Sequence, residues 1–123
     1  LLRLVRDADK LDIFQVVQDA IRQDELTDYP EIVLHISLDD SINPALIEEV
    51  LEGRIGSYKK VHSLADMMLV QVSWVYDFNY QPTYERMAQR RMIEKTAELL
   101  PKRADVKKVV CAALQHLGQH TLA

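Results

Sequence analysis

At 123 residues the chain is long enough for one domain with a single core, and its 48% hydrophobic and 28% charged residues are the balance of an ordinary folded protein. A net charge of -4 argues against a protein whose main task is gripping nucleic-acid backbone, so no DNA partner is expected, although local cations could still hold a small phosphorylated ligand. The single cysteine, Cys111, excludes an internal disulfide and fits a reducing, cytoplasmic setting, and no apolar run is long enough to cross a bilayer, so no membrane partner is expected either.

In chain order, apolar residues at helical spacing predict a first helix from about Leu1 to about Gln23. It opens in mid-pattern, Leu-Leu-Arg-Leu-Val, with no capping residue, so the chain is expected to be a fragment with its first helix cut open. A polar turn from Gln23 to Asp28 and Tyr29-Pro30 leads to Ile32-Val33-Leu34-His35-Ile36, read as an apolar connector because no second strand is visible to pair with it. Asn43-Pro44 reads as an N-cap with proline at the first helical position, opening a helix that should stop near Gly53. Lys59 and Lys60 follow in an exposed loop. Ser63 with Asp66 three residues later resembles a capping box and starts a helix to about Phe78 that is apolar nearly all round. Pro82 opens a charged helix ending at Leu99-Leu100-Pro101. The last helix carries the stripe Val106, Val109, Val110, Ala113, Leu114, Leu117 and should end at Gly118. The expectation is one all-α unit spanning residues 1–123, a bundle of about five helices.

Leu2, Val5, Asp9, Ile13, Val16 and Ala20 fall on one face of the first helix, with Asp9 in the middle of the row. Leu4, Ala8, Leu11 and Phe14 form a second apolar face, so the helix is expected to be packed on both sides and Asp9 to be buried. A carboxylate enclosed by apolar neighbours is costly unless a cation or strong donors meet it. A metal, an Arg or Lys from elsewhere, or open solvent are the three ways to meet that need.

The words around it, Val5-Arg6-Asp7-Ala8-Asp9-Lys10-Leu11-Asp12, resemble the last motif of the HD superfamily of metal-dependent phosphohydrolases. Ser73-Trp74-Val75-Tyr76-Asp77-Phe78-Asn79-Tyr80 is similar to a segment found downstream in bacterial members of that superfamily. The resemblance implies that Asp9 is the last metal ligand, with Ala8 and Leu11 as packing neighbours; Asp7 and Asp12 are not carried over as ligands. It also implies a fold that is the C-terminal part of an HD domain and a parent enzyme that uses a divalent ion to hydrolyse a phosphate ester or nucleotide. The family's histidine and His-Asp pair precede the last aspartate, whereas His35, His62, His116 and His120 all follow Asp9 and none is followed by aspartate. On this reading the chain alone holds no catalytic residue, is metal-free and is inactive. Lys59 and Lys60 are candidate phosphate contacts in the parent, against the simpler reading of an exposed loop. The alternative to an enzyme is a non-enzymatic helical interaction or regulatory module in which Asp9 meets an arginine or lysine. Either way, apolar faces on the opened first helix are expected to favour a homodimer.

Other residues have both a functional and a plain structural reading. Asp66, Ser73 and Asp77 share one helix face and could line a polar cleft, meet the arginines of the following helix, or form a solvated stripe. Trp74 and Tyr76 read as core rather than base-stacking aromatics. His116 and His120 have the four-residue spacing of two ligands on one helix face, near an end expected to fray. His35 reads as a hydrogen-bonded core residue. Arg86, Arg90 and Arg91 form a basic patch offset by Glu85, Glu94 and Glu98, and Cys111 reads as a small helix residue rather than a nucleophile.

Overall fold

The computed structural model describes residues 2–23 and 36–121. Among them are six α-helices: α1 (Leu2–Arg22), α2 (Pro44–Leu51), α3 (Leu64–Ser73), α4 (Gln81–Gln89), α5 (Met92–Leu99) and α6 (Ala104–Thr121). Two 3-10 turns, Tyr58–Lys60 and Trp74–Asp77, complete the order. The fold is all-α, as the spacing of apolar residues indicated. The polar turn from Asp24, the connector residues Ile32–Leu34 and His35 lie outside the described residues.

The two capping signals work as their sequences suggest. The Asn43 side chain accepts from the Ala45 N–H at 3.1 Å with Pro44 in the first turn, and the Ser63 hydroxyl accepts from the Asp66 N–H at 3.0 Å. Asp66 does not close the capping box by accepting from the Ser63 N–H among the described residues. Its carboxylate, only 1% exposed, accepts from the Asn43 N–H at 2.8 Å and the His62 N–H at 3.0 Å, tying the starts of α2 and α3 together. Beside it, Ser37 forms an isolated parallel bridge with Ser63.

Ala65, Met68, Leu69, Val70 and Val72 are all buried, so α3 is enclosed on every side, packed against α2, α5 and α6. The approach of its neighbours is close. A side-chain carbon on Gly56 would sit 3.0 Å from the Val70 side chain and 3.2 Å from that of Leu46, which explains a glycine there. The α-helix turns to 3-10 geometry at Trp74, sooner than the expected end at Phe78.

The charged segment after Pro82 is two helices, not one. The chain breaks at Arg90–Arg91, where Arg91 adopts a left-handed conformation with φ 52°. No glycine or proline marks the break. A left-handed non-glycine residue costs roughly 1–2 kcal/mol, partly offset by glycine's greater loss of freedom on folding, and an exposed Arg91–Glu94 contact at 3.7 Å contributes little. Arg91→Gly is therefore expected to raise stability by about 0.5–1 kcal/mol, seen as a higher urea midpoint with an unchanged slope.

The last helix passes through Gly118 to Thr121 rather than ending at the glycine. The His120 ring lies flat on Tyr84 of α4, centroids 4.2 Å apart and planes at 9°, and this stacking holds the final turn in place.

Candidate functional site

The first helix decides how the motif residues are presented. Its buried face is Leu11, Phe14, Val17 and Ala20, with Phe14 fully covered and edge-on to Trp74 at a centroid distance of 6.2 Å. Asp7, one turn before Leu11, belongs to this face and is 1% exposed. It is the carboxylate in the buried position.

Asp7 meets donors, not a cation. It accepts from the backbone N–H of Asn79 at 3.0 Å, the Asn79 side-chain amide at 3.0 Å, the Tyr80 N–H at 3.1 Å and the Thr83 hydroxyl at 2.8 Å. Tyr80 is the N-cap of α4 and cannot cap it with its own side chain. Asp7 thus supplies, from another helix, the acceptor and the negative charge that a helix start favours. Farther along α1, the buried Gln18 amide donates to the Met92 carbonyl and the Thr96 hydroxyl of α5, each at 2.9 Å. These two polar clasps and the Phe14 contact fix the rotation of α1 about its axis.

That rotation corrects the burial expected for Asp9. Asp9 is exposed, as are Ala8 and Asp12, with Ile13 at 49% and Val16 at 37% exposure on the same outer face. Of the apolar row that carried Asp9, Ile13 and Val16 face outward and Ala20 is buried, because Asp7, Leu11, Phe14 and Gln18 set which side of the helix turns inward. No ion pair or hydrogen bond engages the side chains of Asp9 or Asp12 among the described residues. The outer face is therefore carboxylates beside two bare aliphatic side chains.

Lys10 points away from Asp9 and pairs with Asp77, with Arg6 at 3.6 Å from the same carboxylate. Asp77 thus meets cations of α1, not the arginines of the following helix. Its companions on the expected polar face are inside the protein. Ser73 accepts from the Gly56 N–H at 2.9 Å and donates to the Val70 carbonyl, while Asp66 joins two helix starts. Trp74 is core, as expected, and Tyr76 is half-buried against His116.

Lys59 is exposed, and Lys60 is paired with Glu49 at 2.9 Å. Glu49 also accepts from the Ser57 N–H and hydroxyl, and these contacts hold its carboxyl below the usual carboxylate range, Lys60 contributing most. The turn bearing both lysines packs on α3, whereas α1 packs on α4 and α5, so the structure does not gather them with Asp9. Cys111 is exposed on α6, not enclosed.

His116 and His120 come together with Tyr76 and Tyr84, their own ring centroids 4.6 Å apart. Burial, and then the neighbouring His120, lowers the pKa of His116, with a hydrogen bond to the Val75 backbone acting the other way. Among the described residues no three or more His, Cys, Asp or Glu side chains are grouped to hold a metal ion.

No helix among the described residues is long and apolar enough to cross a membrane. Compared with protein-family models, curated proteins and solved structures, the chain matches none.

Proposed function

We propose that this helical unit supplies Asp9 as the last metal ligand of an HD-type phosphohydrolase that cleaves a phosphate ester or nucleotide. The observation that carries the reading is the contrast between the two aspartates of the motif. Asp7 has its oxygens engaged by donors from Asn79, Tyr80 and Thr83, whereas Asp9 faces outward. A ligand carboxylate must keep a lone pair free, and in Asp-Ala-Asp-Lys-Leu only the second aspartate does so.

One carboxylate is not a divalent site. The remaining ligands on this reading, a histidine and a His-Asp pair, come from a segment seated on the outer face of α1, where Ile13 and Val16 offer it apolar contact. When bound, a divalent ion supplies polarisation of a phosphoryl oxygen and a water of lowered pKa. The structural elements here do the rest: Phe14, Asp7 and Gln18 hold α1 in the one rotation that turns Asp9 outward. The phosphate contacts at Lys59 and Lys60 are not retained in this proposal, because one is paired with Glu49 and neither is gathered with α1.

The test begins with the gene. A histidine followed by a His-Asp pair must be encoded upstream, and their absence ends the enzyme reading. In the complete polypeptide, Asp9→Asn should lower manganese-dependent hydrolysis of p-nitrophenyl phosphate by about two orders of magnitude. Asp12→Asn should leave it nearly unchanged. Equal losses in both variants would remove Asp9 from the role of ligand.

A second reading, a non-enzymatic interaction module, is favoured by the same exposed Ile13 and Val16, which a partner helix or a second copy of this chain would cover. In that case Ile13→Lys should abolish association in light scattering while Asp9→Asn changes nothing.

A further inference from the structure

The geometry points to a second, unrelated metal site: His116 and His120 of α6 together chelate one borderline divalent transition ion, with water completing its coordination. Residues four apart on a helix lie on one face, and here the helix persists past Gly118, so both rings belong to a regular segment. Their centroids are 4.6 Å apart. Two imidazoles sharing an ion through bonds of about 2 Å hold their ring centres roughly 4.5–5 Å apart, a spacing that these rings match.

The second observation is on His116 itself. Its Nε2 is buried and has no hydrogen-bond partner among the described residues, an unusual state for a polar atom inside a protein. With the ring proton on Nδ1, Nε2 presents the lone pair that a metal ion takes, and no donor or acceptor among the described residues competes for it. Tyr84 stacks flat against His120, and Tyr76 packs on His116 with a centroid distance of 4.8 Å, so the rings are confined from both sides.

The ligand class follows from the donors. Two neutral imidazoles suit nickel, copper or zinc rather than magnesium or calcium, which prefer oxygen. The exposed Cys111 makes nickel the better probe, since copper would oxidise a thiol. Neither residue lies on α1, so the outcome is independent of the role assigned to Asp9.

Titration calorimetry with Ni²⁺ on the full chain at pH 7.5 should show one saturable site per chain. His120→Ala removes one ligand from an exposed position, disturbs no more than the last turn of α6 that its stacking on Tyr84 holds, and should weaken the affinity by about tenfold or more. The affinity should fall as the pH drops through the histidine range, because protons compete for the same nitrogens. His62→Ala and Cys111→Ser should both bind as the parent does. Absence of a saturable site, unchanged affinity in His120→Ala, or loss of binding in either of the other two variants would overturn the proposal.

Discussion

Replacing Asp7 by alanine is expected to cost about 3–5 kcal/mol, a large share of the stability of a domain this size. The carboxylate is 1% exposed and accepts from the part-buried Asn79 and Tyr80 N–H groups and the buried Thr83 hydroxyl, so its removal leaves all three without their acceptor. Each unsatisfied donor costs about 1–3 kcal/mol, and the start of α4 loses its only described acceptor charge. Asp7→Asn should be nearly as harmful, since one carboxylate oxygen becomes an NH2 group facing other donors. Asp9→Asn, two residues away, should change stability by less than about 0.5 kcal/mol because its side chain faces solvent. Urea unfolding of the three variants separates the cases. Equal midpoints for the Asp7 and Asp9 variants would contradict the rotation of α1 described above.

The same pair of aspartates marks where sequence reasoning reached its limit. The spacing of apolar residues predicted Asp9 as the buried carboxylate, and the structure buries Asp7 instead. Leu2, Val5, Ile13 and Val16 align with Asp9 as well as Leu11 and Phe14 align with Asp7, and a helix with two apolar rows carries no local mark of the side that packs. The deciding partners, Asn79, Tyr80 and Thr83, are more than seventy residues away in sequence. Local signals fared better. Asn43-Pro44 and Ser63 with Asp66 predicted two helix starts because capping needs only neighbours. The break at Arg91 was hidden, since an arginine in left-handed conformation announces nothing. Gly118 misled in the opposite sense: glycine permits a stop but does not impose one when Tyr84 holds the next turn through His120. The presentation of the outer face of α1 depends on contacts that are long-range.

Phe14→Ala should cost about 3–5 kcal/mol and should act on the site without touching it. Phe14 is fully buried and edge-on to Trp74, so deleting its ring forfeits the transfer energy of an aromatic side chain and leaves a cavity between α1 and the 3-10 turn. Refilling that gap would require α1 to roll, but Asp7 and Gln18 hold it to α4 and α5 on either side of Phe14 along the helix. The protein must either keep the cavity or release the helix. Release is expected to show first, because among the described residues α1 packs chiefly on α4 and α5, whereas α3 is enclosed by α2, α5 and α6. Trp74 is the only tryptophan, so its emission reports this contact directly. A red shift at urea concentrations below the loss of helical circular dichroism is the expected result. Coincident transitions at a lowered midpoint would instead mean that α1 unfolds only with the whole bundle, and that Asp9 is held outward by the full cooperativity of the fold.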